Sequence, residues 1–103
     1  MSTDAEDRRQ IQHRVEVGLG SRTRLRILKA LIKQRRGGGS LSTHKIKSLA
    51  GLKTKDAKKH IRVLVETGWI REIPLVEVKK YQLNLENADV EHLVKFFRKI
   101  GYV

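Results

Sequence analysis

The cations between residues 51 and 70 are the feature of this sequence best suited to binding chemistry. The stretch reads GLKTKDAKKHIRVLVETGWI, and five cations lie within ten positions: Lys53, Lys55, Lys58, Lys59 and Arg62. Aliphatic residues are interleaved with them: Ala57, Ile61, Leu64 and Val65. At about 100° per residue in a helix, the aliphatic residues fall on one side and the cations on the other. One side of this helix is therefore predicted to be core, and the other to face an anionic partner.

The positive charge of the chain is concentrated in one block. The 103 residues carry a formal net charge of +12. Residues 21–62 hold fourteen Lys and Arg against one acid, Asp56, whereas the flanking segments are close to neutral. A charge that served solubility alone would be spread along the chain, whereas a localised excess is typical of binding to a polyanion. An ordinary solvated basic face is the alternative that stays open.

Other kinds of chemistry find little support. No Ser/His/Asp or paired-carboxylate arrangement is apparent, and the glycine run at 37–40 lacks the Gly-Lys-Ser/Thr that opens a helix in a phosphate-binding loop. The chain has no cysteine, and its histidines are not at metal-ligand spacing: His13, His44, His60 and His92. We therefore predict no enzymatic activity, no cofactor and no metal, and a structural role for His60 beside the core face of its helix.

Length and composition set the broad class. A chain of 103 residues predicts one domain with a modest core, to which dimerisation would add buried surface. There is no run of about 18 apolar residues, and the acidic N-terminus lacks the apolar stretch of a signal peptide. These features predict a cytoplasmic, nucleoid-associated protein without a membrane segment. Abundant Lys, Arg and Glu with few Asn and Gln are typical of thermophilic proteins.

The elements that must position the cationic helix follow from periodicity and capping residues. Ser21 is a predicted N-cap for a helix over 22–35, whose core face comprises Leu25, Leu28, Leu31 and Ile32, with Ile27 at its edge. Ser42 is a predicted N-cap for a short helix over 43–50, with Ile46, Leu49 and Ala50 facing inward.

The order of the next elements is that of a helix-turn-helix. Gly51 suits the left-handed turn that ends the short helix. Thr54 is then the predicted cap of the cationic helix, which continues to about residue 67. A short helix, a tight turn and a longer helix in succession are the sequence form of this motif.

After Gly68 the apolar residues no longer follow a helical period. Residues rich in Trp, Ile, Val and Tyr predict two antiparallel strands, over about 69–73 and 78–83, linked around Pro74 to Glu77. We expect Trp69 and Tyr81 to be core residues.

The terminal segments predict two further helices. The one over 5–17 has few apolar residues and needs a partner surface to be stable. Asn87 caps the other, over 88–100, whose apolar stripe exceeds what a small core requires. We therefore predict a dimer interface formed by Ile11, Val15, Val90, Leu93, Val94, Phe97 and Ile100. In the alternative, the last helix folds onto its own domain.

Three stretches resemble the arsenic-repressor-like (ArsR) regulators over roughly residues 15–85. They are LGSRTRLRILKAL at 19–31, the cationic stretch at 51–70, and KKYQL at 79–83. The motifs are specific for winged helix-turn-helix DNA-binding proteins in general. They distinguish ArsR-like members less well from the related MarR-like regulators. Small archaeal regulators of this type are similar as well. The resemblance implies an α+β fold, mainly α with a small β hairpin, and terminal dimerisation helices. The single domain 1–103 would comprise an N-terminal helix (1–20), a winged core (21–86) and a C-terminal helix (87–103).

The resemblance also implies a homodimer that binds a palindromic operator in double-stranded DNA, with helix 54–67 in the major groove. Carried over by position, the DNA-facing residues are Lys53, Thr54, Lys55, Lys58, Lys59 and Arg62. Further DNA-binding candidates are Lys79 and Lys80 on the second strand, Arg22 at a helix start, and Lys45. The chain departs from the family in lacking cysteine, so metal sensing is not carried over. It also departs in the apolar and acidic tip of the wing, which argues against minor-groove contact there.

Three functions remain open from the sequence. The first is a sequence-specific transcriptional regulator. The second is a nonspecific DNA-coating architectural protein, because the cationic helix is rich in lysine, which is a point charge rather than a bidentate reader of bases. The third is a winged helix used for contact with an acidic protein.

Overall fold

Five α-helices and a three-stranded antiparallel sheet make up the computed structural model, which describes residues 2–34, 39–75 and 77–103. In chain order the elements are α1 (Ser2–His13), a π-helical segment (Arg14–Gly18), α2 (Arg22–Gln34), β1 (Leu41–Ser42), α3 (Thr43–Ala50), α4 (Thr54–Glu66), β2 (Ile70–Pro74), β3 (Lys79–Leu83) and α5 (Ala88–Lys99). Across these ranges, none of the helices combines the length and the apolar character needed to cross a membrane.

The core lies where α2, α3 and α4 meet the sheet and α5. Residues from every one of these elements are almost wholly buried there: Ile27, Leu28, Leu31, Ile46, Ala57, Ile61, Leu64, Ile70, Val90 and Val94. Two details of the sequence prediction were wrong. Ile27 is fully buried rather than at the edge of α2, while Leu49 is 45% exposed rather than inward-facing. Leu25 is only partly buried and packs against the margin of the core.

Local hydrogen bonds set the junction between α3 and α4. Ser42 caps α3 as predicted, because its Oγ accepts from the backbone N–H of Lys45 at 3.2 Å. Gly51 ends α3 at φ 69°, which only glycine adopts without strain. The N-cap of α4 is Lys53 and not Thr54, since Lys53 is extended and its carbonyl accepts from Ala57 N–H at 2.9 Å. Thr54 is therefore the first helical residue.

The sheet has the strand order β1-β3-β2. The β2–β3 hairpin was predicted, and it runs from Ile70 opposite Leu83 to Pro74 opposite Lys79. Trp69 and Tyr81 are core residues, as predicted. The third strand, β1, was not predicted because two residues carry no periodicity. It pairs Leu41 with Tyr81 and so joins the start of α3 to the hairpin. The predicted link between the strands includes residue 76, which lies outside the described residues.

Helix α5 begins as predicted, with the side-chain oxygen of Asn87 accepting from Asp89 N–H at 3.0 Å. The structure places Val90, Val94 and Phe97 in the core of their own chain, so these three residues do not present a surface to a second chain. For this face of α5, the structure therefore agrees with the alternative prediction, in which the last helix folds onto its own domain. Phe96 and Ile100 stay exposed on the same helix.

The helix predicted over 5–17 is an α-helix as far as His13 and a π-helix from Arg14 to Gly18. All side chains from residue 5 to residue 13 are exposed, and α1 lies beside the end of α4, where Arg9 and His13 line a cavity with Glu66. At the end of the π-helical segment, buried Gly18 lies against the Trp69 indole, and a Cβ at this position would overlap the indole Nε1. The absence of a side chain at Gly18 therefore allows the N-terminal segment to pack on the core.

We expect Gly18→Ala to lower the free energy of unfolding by about 1–3 kcal/mol, the usual cost of overpacking a core. The reason is the overlap of the new methyl group with the Trp69 indole. Urea denaturation followed by circular dichroism would measure the loss. In a Trp69→Leu background the same substitution should cost less. An equal cost in both backgrounds would show that the indole is not the cause.

Candidate nucleic-acid interface

Helix α4 separates a buried apolar face from an exposed cationic one. Ala57, Ile61 and Leu64 are at most 2% exposed. The α4 cationic face, which we define as Lys55, Lys58, Lys59 and Arg62, is solvent-exposed, and so are Lys53 and Thr54 just before it. Two ion pairs lie on and beside the hairpin, Arg71–Glu86 and Lys79–Glu72, and neither involves these cations. The face therefore presents four exposed cations, with exposed Glu66 one helical turn beyond Arg62 at its C-terminal end.

One hydrogen bond fixes α4 against α2 directly beside this face. The Arg24 guanidinium lies 3.1 Å from His60 Nδ1. Because arginine only donates, Nδ1 must be the acceptor, and the imidazole is then neutral with its proton on Nε2. Burial lowers the pKa of His60, and the positive charges of Arg24 and Lys59 lower it further, against a smaller opposing effect of Asp56. The prediction of a structural His60 agrees with this geometry.

A groove of about 840 Å³ separates α4 from the β2–β3 hairpin. Lys58 and Arg62 lie on its helix side, His44 lies on α3, and Lys79 lies on β3. Carboxylates also line this groove: Glu66, Glu72 and Glu77. The surface is thus mainly cationic along α4, where Glu66 follows Arg62 by one turn, and mixed in charge along the hairpin.

Within the groove, Glu72 is held by two neighbours. Its Oε1 lies 3.7 Å from Lys79 Nζ and accepts from the Tyr81 hydroxyl at 3.3 Å. Burial raises the pKa of Tyr81, and Glu72 adds to the effect, against a hydrogen bond with Thr43 that lowers it. Part of the Lys79 charge is therefore compensated by Glu72. The sequence analysis did not single out His44 or Glu72 as site residues, although the period-two spacing of β3 puts Tyr81, whose hydroxyl contacts Glu72, on the same side as Lys79.

The two lysines of β3 lie on opposite faces of the sheet. Side chains alternate along a strand, so Lys79 shares a face with buried Tyr81 and Leu83, whereas Lys80 points to the other face with Gln82. The structure thus brings Lys79 but not Lys80 towards the groove beside α4. The other two candidates lie in the first turns of helices, Arg22 on α2 and Lys45 on α3, and both are exposed.

Solved structures share this arrangement of elements over nearly the whole chain. One of them is the homodimeric winged helix-turn-helix DNA-binding domain Mb0332 from Mycobacterium bovis, which is described as a possible ArsR-family transcriptional regulator. It matches with a TM-score of 0.79 and 20% sequence identity, and the match covers 98% of this chain and 86% of that chain. The chain has the winged helix-turn-helix fold. The transcriptional repressor BigR from Xylella fastidiosa has the same winged helix, with a TM-score of 0.72 and 20% identity over 97% of this chain and 95% of its own.

NolR from Sinorhizobium fredii is a third example, with a TM-score of 0.73 and 15% identity over 97% of this chain and 93% of that chain. No protein-family model matches the chain, and no curated protein is similar to it in sequence. The predicted fold class is confirmed, and so is the resemblance to proteins of the ArsR type. Mb0332 and BigR are described as regulators and not as enzymes. In the winged helix, α3 and α4 form the helix-turn-helix, whose second helix is termed the recognition helix, and the β2–β3 hairpin is the wing.

The bond between Arg24 and His60 predicts a pH dependence of stability. The folded pKa of His60 lies below its usual value of about 6.5, so the unfolded chain binds this proton more readily. The free energy of unfolding should therefore be highest above pH ~6.5 and fall as the pH drops towards the folded pKa. His60→Asn, which keeps an acceptor but cannot titrate, should reduce this dependence in urea denaturation between pH ~7.5 and ~5.5.

His92→Asn is the matched control for this experiment, because His92 is an exposed histidine on α5. It should leave the pH dependence as in the parent chain. If His60→Asn retained the full pH dependence, the contact between Arg24 and His60 would not be its origin.

Proposed function

We propose that the protein is a homodimeric transcriptional regulator that binds double-stranded DNA sequence-specifically through the recognition helix. The observation that carries this proposal is the α4 cationic face, whose four cations are exposed while the opposite face of the same helix is buried. The helix is about 20 Å long, and the major groove of B-DNA, about 12 Å wide, admits one helix. The exposed cations would then lie against the flanking phosphates.

The positions along α4 divide the contacts by kind. Thr54 and Lys55, at the N-terminal end, would approach base edges, as the first residues of recognition helices do. Lys58, Lys59 and Arg62 would contact phosphates, which position the protein without reading sequence. Lys53, Lys45 and Arg22 would add backbone contacts near the starts of their helices. Lys79 would contribute from the wing, whereas Lys80 lies on the far face of the sheet and would need a different approach of the DNA.

The composition of the recognition helix favours a second candidate, a nonspecific DNA-coating protein. The α4 cationic face contains three lysines and one arginine, and no Asn or Gln. Lysine attracts phosphates without the fixed bidentate geometry that distinguishes bases. Both candidates use the same surface, so they differ in sequence preference and not in the site of binding.

Two observations support a homodimer. The side chains of α1 are exposed from residue 5 to residue 13, although an isolated helix of 12 residues is marginal in water. Its Ile11 and the following Val15 are exposed, as are Phe96 and Ile100 on α5. We propose that these four residues, with partly buried Leu93, form the interface, and that Val90, Val94 and Phe97 support it from within the core. Mb0332, of the same fold, is described as homodimeric.

Lys59→Glu combined with Arg62→Glu should abolish DNA binding while leaving the circular dichroism spectrum unchanged, because both side chains are exposed. Fluorescence anisotropy with a labelled duplex would measure the loss.

If a dimer neutralises roughly six to ten phosphates, the affinity of the parent chain should fall ~10³–10⁵-fold between 50 and 200 mM salt. Selection from a random duplex pool at about 150 mM salt would then separate the candidates: an enriched inverted repeat with half-sites about one helical turn apart indicates a regulator, and binding without enrichment indicates a coating protein.

The control is Lys95→Glu combined with Arg98→Glu, an exposed Lys/Arg pair at the same three-residue spacing on α5. It changes the net charge equally, away from the recognition helix, and should weaken binding far less. Equal losses in the two double variants would indicate attraction by overall charge and would contradict the assignment of the α4 cationic face.

Phe96→Ser combined with Ile100→Ser should shift the protein from dimer to monomer, since it removes the exposed apolar side chains of α5. Sedimentation velocity over a concentration series would measure this. Lys95→Ser combined with Lys99→Ser, at the same spacing on another face of α5, is the control and should leave the dimer intact. A parent chain that stayed monomeric at every concentration would contradict the proposed interface.

A further inference from the structure

Helix α2 carries a second row of cations on its outward face. Arg22, Arg26, Lys29 and Lys33 are spaced four, three and four residues apart, so they fall within about 60° of one another around the helix. Lys29 is partly covered by the Tyr102 ring, whose centroid lies 4.7 Å from its Nζ, and the other three are exposed. We call these four residues the α2 ridge.

Beyond Arg22, which is also a proposed DNA contact, the α2 ridge lies apart from the proposed DNA-binding surface. The buried faces of α2 and α4 meet in the core, through Leu28 and Leu31 on one helix and Ile61 and Leu64 on the other. The outward faces of the two helices therefore point in different directions. A duplex lying along the α4 cationic face would leave Arg26, Lys29 and Lys33 free.

Between the α2 ridge and α3 lies a furrow of about 460 Å³, within the size range of about 300–1,000 Å³ that is usual for ligand pockets. Its α2 side is formed by Arg26, Lys29 and Lys33, and its α3 side includes Leu49 and Gly51. None of the residues that line it is acidic. A Cβ at Gly51 would meet nothing within 4 Å, so this end of the furrow is open.

Leu49 gives the furrow an apolar wall. Its side chain is 45% exposed although the rest of its helix buries Ile46 and Ala50. A smaller cavity of about 290 Å³ shares Lys33 with the furrow and is lined by Ile32, Lys33, Arg98 and Val103. The furrow thus combines cations with the exposed Leu49 side chain, and no Asp or Glu lines it.

The chemistry of this surface selects the class of partner. Cations at the rim attract carboxylates, and the Leu49 wall is covered only if the partner also carries an apolar side chain. A phosphate backbone would pair with the cations but would leave Leu49 in water. We propose that the furrow between α2 and α3 is a docking site for an acidic segment of a partner protein that inserts a large apolar side chain against Leu49. This inference does not depend on DNA binding by α4.

The test uses the full chain, labelled with ¹⁵N, and a synthetic probe. The probe is a peptide of about 12 residues made of Asp and Glu around a central Leu-Phe pair, roughly enough to span the furrow. Its addition should shift the amide resonances of residues 26–33 and 48–51, and should leave those of 55–62 in place. Replacing the Leu-Phe pair of the probe by Ser-Ser should weaken binding at least about fivefold, since the apolar contact is lost.

Matched variants separate this site from the DNA-binding face. Arg26→Gln combined with Lys33→Gln should weaken the peptide at least about tenfold and leave DNA binding nearly unchanged. Lys59→Gln combined with Arg62→Gln should do the reverse. Leu49→Ser, a change at an exposed position, should weaken the peptide without altering the fold or its DNA affinity.

Four results would overturn the proposal. They are absence of peptide binding, resonance shifts confined to α4, equal affinity for the Leu-Phe and Ser-Ser probes, and displacement of the peptide from the furrow by duplex DNA. The last would assign the α2 ridge to a second duplex. Loss of DNA binding to the α4 cationic face would by itself leave the docking site standing, so the two proposals fail separately.

Discussion

The burial of the apolar face of α4 is the interaction on which the other features of this winged helix depend. Ala57, Ile61 and Leu64 pack against α2 and α3, and this packing turns every cation of the helix outward. Fully burying an aliphatic side chain stabilises a fold by about 1.5–3 kcal/mol, whereas an exposed ion pair contributes about 0–1 kcal/mol. The apolar face therefore decides the orientation of the helix, and the charged residues are left to bind.

The acidic residues around α4 are distributed unevenly, so the positive charge of the surface is greater on the helix than on the hairpin. On α4 four exposed cations lie with one acid, Glu66, at the end of the same face, whereas Glu72 on the wing partly neutralises Lys79. A phosphate backbone would be drawn towards the helix and held away from the carboxylates of the hairpin. The neutral imidazole of His60 fits the same arrangement, because a charged imidazolium there would repel Arg24.

The terminal segments divide between core and surface. Helix α5 completes the core with Val90, Val94 and Phe97 and still exposes Phe96 and Ile100 at its edge. Helix α1 contributes almost nothing to the core and is joined to the rest through the π-helical segment, where Gly18 meets Trp69. A small domain that leaves one helix uncovered gains much of its missing burial by association, which is why we place the dimer contact at these two helices.

The sequence by itself determined the features that depend on a few neighbouring residues. The caps at Ser42 and Asn87 and the glycine turn at Gly51 act within one helical turn, and the cationic and aliphatic sides of α4 follow from the helical period alone. Only the tertiary structure decided which apolar residues are covered, as with exposed Leu49 and buried Val90. It also decided that β1 pairs with β3, and that Arg24 reaches His60. Segments distant in the sequence meet in each of these cases, and a local pattern carries no information about which surface will cover it.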